Sequence, residues 1–468
     1  MTDLLDRAAA ERAAGRGETA SKLYNEAASC CQQTGDLQGW TEAVLGAASV
    51  YLFGSEPGKL PAQLYDLLAR TTDDTNRARI AAALARCWAY AGHASRAVQF
   101  ADEAIQRSSL VGDPELIADC LDAALAAHWG PDDLEVRRSL ADRLDDVAAH
   151  VLNPNTRLQA HLWGLQVACE VLDVPTMHRQ IRALELLGEE SPRALFFAAS
   201  RRLMLDLLRG RFDTTEQLIS IATQAADQAS LADAWMVMKA MEFYSAAQSG
   251  DTLACAAGAE LVEAFALAEG ATAVSAEAAF LWTCAGRPDR AQLLLAMFHG
   301  RVLDELPRDV NWLLTVQCVL EAALFVADRE VIATAFRLLK PYEGRSVINA
   351  GAVMFHGLTD YTLCRAATFL GDNATADRLA TRALATYERL GAQWWRQRLR
   401  RVEARVDVTL QVHLHRVSGG LWLVGSDSDA VPLRFRLRPG AGAPARGSDL
   451  RAGSRGWRHY RIRTRPGR

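Results

Sequence analysis

Lysine is almost missing from this chain, standing only at positions 22, 59, 239 and 340, so nearly all of its basic charge is carried by Arg. Aromatic residues are also scarce, at 7% against 50% hydrophobic residues overall. The surplus is Ala and Leu, which favour helices and pack closely. A sheet protein would need more Val, Ile, Thr and aromatics. No apolar stretch reaches the roughly 18 residues that a membrane-spanning helix needs. The opening residues, from Met1 to Arg7, show no basic region followed by an apolar core, so no secretory signal is expected.

Paired cysteines are missing as well. The nine cysteines stand singly except for Cys30-Cys31, no C-x-x-C spacing occurs, and an odd number fits poorly with a disulfide framework. Cys87, Cys120, Cys169, Cys318 and Cys364 fall at apolar helical positions, where Cys behaves as a small hydrophobe. Reduced core thiols and a cytoplasmic location are expected. The net charge of −4 divides unevenly. Residues 434–468 hold eleven Arg and one Asp, a local +10 that leaves −14 on the other 433 residues. An acidic body argues against general nucleic-acid binding there.

What the chain does have is an internal period. Around Gly92 stand Ala85, Trp88, Ala97, Ala101 and Ala104: seven and four residues before the glycine, then five, nine and twelve after it. The register recurs at Gly371 with Cys364, Ala367, Ala376, Ala380 and Ala383. It returns at Gly15 with Ala8, Ala20, Tyr24 and Ala27, and at Gly210 with Leu203, Thr215, Ile219 and Ala222. Gly250 and Gly286 fit more loosely, and Leu172 and Ala327 anchor similar units without the glycine. From Leu172 to Gly371 successive anchors lie between 36 and 44 residues apart. Two antiparallel helices of about a dozen residues fill such a period. Glycine at the turn permits a positive φ, and the small residues beyond it let the second helix approach the first closely. One pair cannot bury its own apolar faces, so neighbouring pairs must stack.

About nine or ten such pairs fit before residue 404. Beyond Val402 the period changes. Val406, Val408, Leu410, Val412 and Leu414 alternate, and Ser418-Gly419-Gly420 precedes Leu421-Trp422-Leu423-Val424, as in a hairpin of strands. From Arg434 neither period survives. The expected fold is therefore all-α: a tetratricopeptide-like right-handed superhelix of antiparallel helix pairs over 1–404. A short β-hairpin over 405–433 and an Arg/Gly-rich disordered tail over 434–468 complete it.

Searches for chemistry end in structural readings. Gly54-Ser55-Glu56-Pro57-Gly58-Lys59-Leu60 has three residues between its glycines and no hydroxyl after Lys. A phosphate-cradling Walker loop needs four residues and a Ser or Thr, so a helix–helix turn is expected. His413 and His415 share a strand face, but no third or fourth metal ligand stands near them. Asp132 and Asp133 are read as caps of the next helix rather than as paired catalytic carboxylates. Trp394-Trp395 with Arg396, Arg398, Arg400 and Arg401 mixes aromatic and basic residues as nucleic-acid binders do. In a helical stretch the same residues close a last core layer with arginines facing water. The Arg-rich tail offers non-specific electrostatics or no function at all. No enzymatic activity, cofactor or metal is expected.

Four segments carry a family resemblance: His128-Trp129-Gly130-Pro131-Asp132-Asp133-Leu134-Glu135, Leu306-Pro307-Arg308-Asp309-Val310-Asn311-Trp312, Leu338-Leu339-Lys340-Pro341-Tyr342-Glu343-Gly344-Arg345, and Tyr387-Glu388-Arg389-Leu390-Gly391-Ala392. Across about residues 80–425 the chain resembles the helical-repeat portion of large bacterial ATP-binding transcriptional regulators of the LuxR and SARP type, and of their relatives headed by adenylate cyclase domains. In that family an ATPase module and a DNA-binding or cyclase head precede repeats that sense or dock partners. The resemblance thus covers the regulatory tail alone, and implies a stand-alone protein or a fragment of a longer regulator. Relatives continue past the hairpin with a K-G-L-R-Y-L-like segment, where this chain runs Val431-Pro432-Leu433 into Arg434-Phe435-Arg436-Leu437. A shifted reading frame near residue 433 is the expectation there.

The functional expectation is a non-enzymatic scaffold for a protein partner in bacterial signalling or transcription control. The alternatives are a small-molecule sensor with a pocket inside the superhelix, and a nucleic-acid binder acting through the tail. A membrane partner is not expected. The residues six before each anchor, Arg86, Gln166, Met204, Tyr244, Phe280, Glu321 and Arg365, are chemically mixed, whereas those seven before are all apolar. In a tetratricopeptide-like pair the mixed column would face the concave surface, which makes it the candidate partner groove.

Overall fold

The computed structural model describes residues 2–14, 16–50, 58–231, 234–406, 411–417, 421–426, 433–436 and 457–461. Antiparallel helix pairs follow one another along the chain. They are α1 (Thr2–Ala13) with α2 (Gly17–Thr34), α3 (Leu37–Ala48) with α4 (Leu60–Arg70), α5 (Asp74–Tyr90) with α6 (Ala94–Val111), and α7 (Pro114–Ala127) with α8 (Leu134–Ala148). Next come α9 (Pro154–Val171) with α10 (Val174–Gly188), α11 (Pro192–Leu208) with α12 (Thr215–Ala229), and α13 (Ala234–Ser249) with α14 (Thr252–Glu269). Then α15 (Thr272–Cys284) pairs with α16 (Pro288–Leu295), and a short α17 (Val302–Glu305) leads to α18 (Trp312–Val326) and α19 (Arg329–Leu339). A small antiparallel hairpin of β1 (Ser346–Ile348) and β2 (Phe355–Leu358) intervenes before α20 (Thr359–Leu370), α21 (Asn373–Arg389) and α22 (Gln393–Val406).

The turn chemistry explains why pairs form where they do. Leu172, Gly250, Ala327 and Gly371 all take a left-handed conformation, with φ of 61°, 82°, 61° and 88°. Each is followed by Asp, whose carboxylate accepts from a backbone N–H in the next helix: Asp173 from Thr176, Asp251 from Ala254, Asp328 from Val331 and Asp372 from Thr375. The N–H of the same Asp donates to a carbonyl five residues back, at 2.9 Å for Asp173 and Asp372 and 3.0 Å for Asp251 and Asp328. One two-residue unit thereby closes one helix and opens the next, and each cap contributes about 1 kcal/mol. Gly35-Asp36 and Gly112-Asp113 use the same device between pairs. Gly15 lies outside the described residues.

The small residues of the repeat sit where the helices meet. Ala97, Ala101 and Ala104 are fully buried against Ala78, Ala81, Ala82 and Ala85 of α5. In the column seven before each anchor, Ala85, Leu165, Leu203, Ala279, Leu320 and Cys364 are buried. Phe243 is half-buried instead and lies over Gly258, where a Cβ would come within 2.7 Å of its ring. First helices contact one another from α1 through α9 and again from α11 to α20, with β1 packed on α9. Among the described residues no helix is long and apolar enough to cross a membrane.

The chain divides into two compact units, Met1–Arg396 and Gln397–Arg468. The second holds the end of α22 and four antiparallel strands, β3 (Gln411–Val417), β4 (Leu421–Ser426), β5 (Leu433–Arg436) and β6 (Trp457–Arg461), in the order β5-β4-β3-β6. The expected hairpin is β3 with β4, closing at Val417 opposite Leu421. Val408 and Leu410 of the alternating run lie outside the described residues. Of the tail expected to be disordered, residues 434–436 and 457–461 are described and lie in strands, while 437–456 and 462–468 lie outside.

Two substitutions test the repeat physics. Ala327→Gly should raise stability by about 0.5–1 kcal/mol, because it removes left-handed strain at an exposed turn and loses only part of that gain to chain entropy. Ala101→Leu should lower it by about 1–3 kcal/mol through overpacking. Urea unfolding followed by circular dichroism reads both, and opposite signs would contradict the register.

Candidate functional site

The layer of first helices encloses an open groove of about 780 Å³, lined by α1, α3, α5, α7, α9 and the start of α11, with Tyr24 of α2, Leu60 of α4 and Leu144 of α8. Rungs of polar contacts cross it from helix to helix. Arg12 Nη1 donates to Ser49 Oγ at 2.6 Å, and Arg79 makes a two-pronged pair with Glu42 at 2.6 and 2.9 Å. Arg86 reaches Asp119 at 2.6 Å and Asp122 at 2.9 Å, and Trp163 Nε1 donates to the other oxygen of Asp122 at 2.8 Å. Burial alone would lower the Arg86 pKa, but Asp119 and Asp122 together raise it, so the charge is fixed. Tyr24, Tyr90, Asn155, Gln159 and Arg193 complete the lining with aromatic faces and solvent-facing donors and acceptors.

Farther along, the same layer is filled by the chain itself. Val353 and Met354, at the tip between β1 and β2, belong to one core with Phe196, Leu203, Leu207, Met241 and Tyr244. The buried Arg201 donates from Nε to the Gly351 carbonyl at 2.9 Å, and Gln317 donates to the His356 carbonyl at 2.6 Å. Desolvation pushes the Arg201 pKa down to about 9. The His356 ring stands edge-on to Tyr244, with centroids 4.0 Å apart. The Leu358 N–H donates to the Tyr387 hydroxyl at 3.0 Å.

Contacts between distant parts of the array brace this filling. Asp132 takes both prongs of Arg308, at 2.8 and 3.0 Å, and the Tyr342 hydroxyl at 2.5 Å. Arg345 reaches the Pro131 carbonyl and Arg389 the Leu172 carbonyl, both at 3.3 Å. Gly130 is required by the approach itself, since a Cβ there would lie 2.7 Å from the Arg308 carbonyl. Three of the four segments that carry the family resemblance, around Asp132, Arg308 and Tyr342, meet in space at these contacts.

The seven residues of the mixed column divide between these regions. Arg86 lies in the open groove. Gln166, buried, donates to Glu170, which in turn binds Arg137 at 2.7 Å. Met204 is buried. Tyr244 and Phe280 stack on each other and flank His356, and the Tyr244 hydroxyl donates to Glu277 at 2.7 Å. Glu321 accepts from Thr362 at 2.9 Å and pairs with Arg365. The column is mixed because its members bridge successive first helices and meet the β1–β2 segment. Sequence reading missed that segment, whose signal was the run Ser346-Val347-Ile348 between Gly344 and Gly351.

The remaining motifs have structural roles. Asp133 occupies the N-cap position of α8, but its side chain makes no cap bond and faces His128 Nδ1 at 3.3 Å, while Asp132 pairs with Arg308. The capping expectation is corrected for both. Trp395 closes a core layer against Phe355, Tyr361 and Tyr387. Residues 54–57 of the Walker-like turn lie outside the described residues. No disulfide joins the cysteines, and burial pushes the thiols of Cys87 and Cys120 up to about 11 and about 12. Among the described residues no cluster of three His, Cys, Asp or Glu is placed to hold a metal ion. His413 and His415 occupy alternate positions of β3, opposite Gly425 and Leu423.

No protein-family model and no curated protein matches the chain. Among solved structures it is similar to a circular tandem repeat protein with novel repeat topology and enhanced subunit contact surfaces. The two are 13% identical over 86% of this chain and 95% of that one, with a TM-score of 0.12. At that score the likeness carries no weight, and the fold rests on the helix packing above.

Burial holds the His356 pKa down to about 3, well below the usual 6.5, so the imidazole is neutral in the folded chain. A lowered His pKa gives stability that is present above pH 6.5 and lost as pH falls toward 3, at about 1.4 kcal/mol per pH unit. Burial raises the Glu277 carboxyl pKa, which acts in the opposite sense, so the comparison must isolate His356. Between pH 6.5 and 5 the stability of the parent should fall more steeply than that of His356→Phe. Parallel pH profiles for the two would contradict the buried neutral imidazole.

Proposed function

We propose that this chain is a non-enzymatic helical-repeat scaffold for protein–protein interaction in bacterial signalling or transcription regulation. A segment of its partner lies in the groove between α1 and α11. The observation that supports this reading most is the asymmetry of the first-helix layer. The β1–β2 segment fills the layer around α11, α13 and α18, whereas about 780 Å³ lies open over α1 to α9. The groove walls are held by inter-helix rungs, so a partner meets a pre-organised surface and loses little to ordering it. Arg and Tyr are the side chains that most often dominate binding energy, and Arg86, Tyr24 and Tyr90 line this groove. The regulatory setting rests on the resemblance of the closing segments to the repeat tails of bacterial regulators.

A benzophenone photo-crosslinking residue placed at Gln159, inside the groove, should give a discrete crosslinked band in a bacterial extract. The same residue at Gln106, an exposed position of α6 outside that lining, should give none, and Arg193→Glu should abolish the Gln159 band. Equal bands at both positions, or a Gln159 band that survives Arg193→Glu, would contradict the groove.

A further inference from the structure

A second, much smaller cavity lies where the β1–β2 segment meets α9 and the turn before α8. It measures about 20 Å³, and its walls include Trp129, Arg137, Gln166, Glu170, Arg345 and Ser346. Four of these carry a buried polar atom with no protein partner among the described residues: Trp129 Nε1, Gln166 Oε1, Arg345 Nε and Ser346 Oγ. Gln166 and Ser346 are each only 2% exposed. A buried donor or acceptor left unmade is costly enough that folded proteins rarely keep one, and four around one cavity need a common explanation.

We propose that this cavity is a binding site for one ordered water molecule, which joins the β1–β2 segment to α9 and to the Trp129 turn. The size fits, because a polar cavity needs about 10–15 Å³ of this kind of space to hold a water. The hydrogen-bond inventory fits too. Trp129 Nε1 and Arg345 Nε are donors only, so the ligand must accept twice. Gln166 Nε2 donates to Glu170 Oε1 at 2.8 Å, and that carboxylate also receives Arg137. The amide cannot flip without turning its carbonyl toward the carboxylate, so Oε1 is fixed as an acceptor and the ligand must also donate. The Ser346 hydroxyl supplies the fourth contact in either sense. A halide accepts but cannot donate, so it would leave Gln166 Oε1 unmet. An ammonium ion donates but cannot accept. Water does both, with two bonds of each kind.

Such a water would tie together segments more than 200 residues apart, at the place where Arg345 also reaches Pro131. A high-resolution crystal structure of the full chain grown in sodium bromide tests the site. The expected result is one peak of water density within hydrogen-bond distance of Gln166 Oε1 and Ser346 Oγ, with no bromide anomalous signal. An anomalous peak would show a halide site and overturn the assignment. An empty cavity, or four side chains paired directly with one another, would overturn it as well.

Discussion

The first helices α5, α9, α11, α13, α15, α18 and α20 end one or two residues before a residue with a left-handed backbone, and the packing of those pairs depends on that constraint. At Leu172, Gly250, Ala327 and Gly371 the chain reverses within two residues because the following Asp closes one helix and caps the next. A longer or looser turn would set the second helix farther out, and the Ala rows at its base would no longer touch. Those rows are what allow neighbouring pairs to stack. Leu172 and Ala327 hold this conformation against the strain a Cβ brings, so the stacked neighbours impose it there.

Stacking alone would leave a layer of first helices facing solvent along its whole length. The chain treats its two halves differently. Around α11, α13 and α18 the β1–β2 segment supplies Val353, Met354 and His356 as an apolar filling. Arg201 and Gln317 meet its backbone carbonyls in place of solvent. Asp132, with Arg308 and Tyr342, braces that filling against the turn before α8. Around α1 to α9 the helices are instead tied by charged rungs whose outer edges remain accessible. A rigid open groove beside a self-filled interior follows from one insertion of about a dozen residues.

Much of the repeat could be read from the residues because it depends on local rules. Gly92 with Ala97, Ala101 and Ala104 encodes a turn and a close helix contact within one pair, and both are present. Gly-Asp and even Leu172-Asp173 could have been read the same way, as a helix stop joined to an N-cap. The site was much less legible. Arg86 lines the groove and also bridges to Asp119 and Asp122, and its sequence position does not show that bridge. The bridge is made to a helix 33 or more residues away. Tyr244 and Phe280 have the composition of a groove, yet they pack on His356, more than 70 residues downstream. Asp132 and Asp133 sit where caps belong, but Arg308, 176 residues on, takes one of them. Long-range pairing of this kind leaves no period in the sequence.

Hydrogen–deuterium exchange of the full chain tests the central claim most directly, that the chain fills part of its own helical layer and leaves the rest open. The amides of Met354 and Leu358 are bonded to Asn349 Oδ1 at 2.7 Å and to the Tyr387 hydroxyl at 3.0 Å, inside the layer. Peptides covering 346–358 should therefore exchange as slowly as those from the cores of α15 and α18. Exchange there as fast as in the turn around Gly300 would contradict the account, because the segment would then lie outside the layer and the interior would be open along its length.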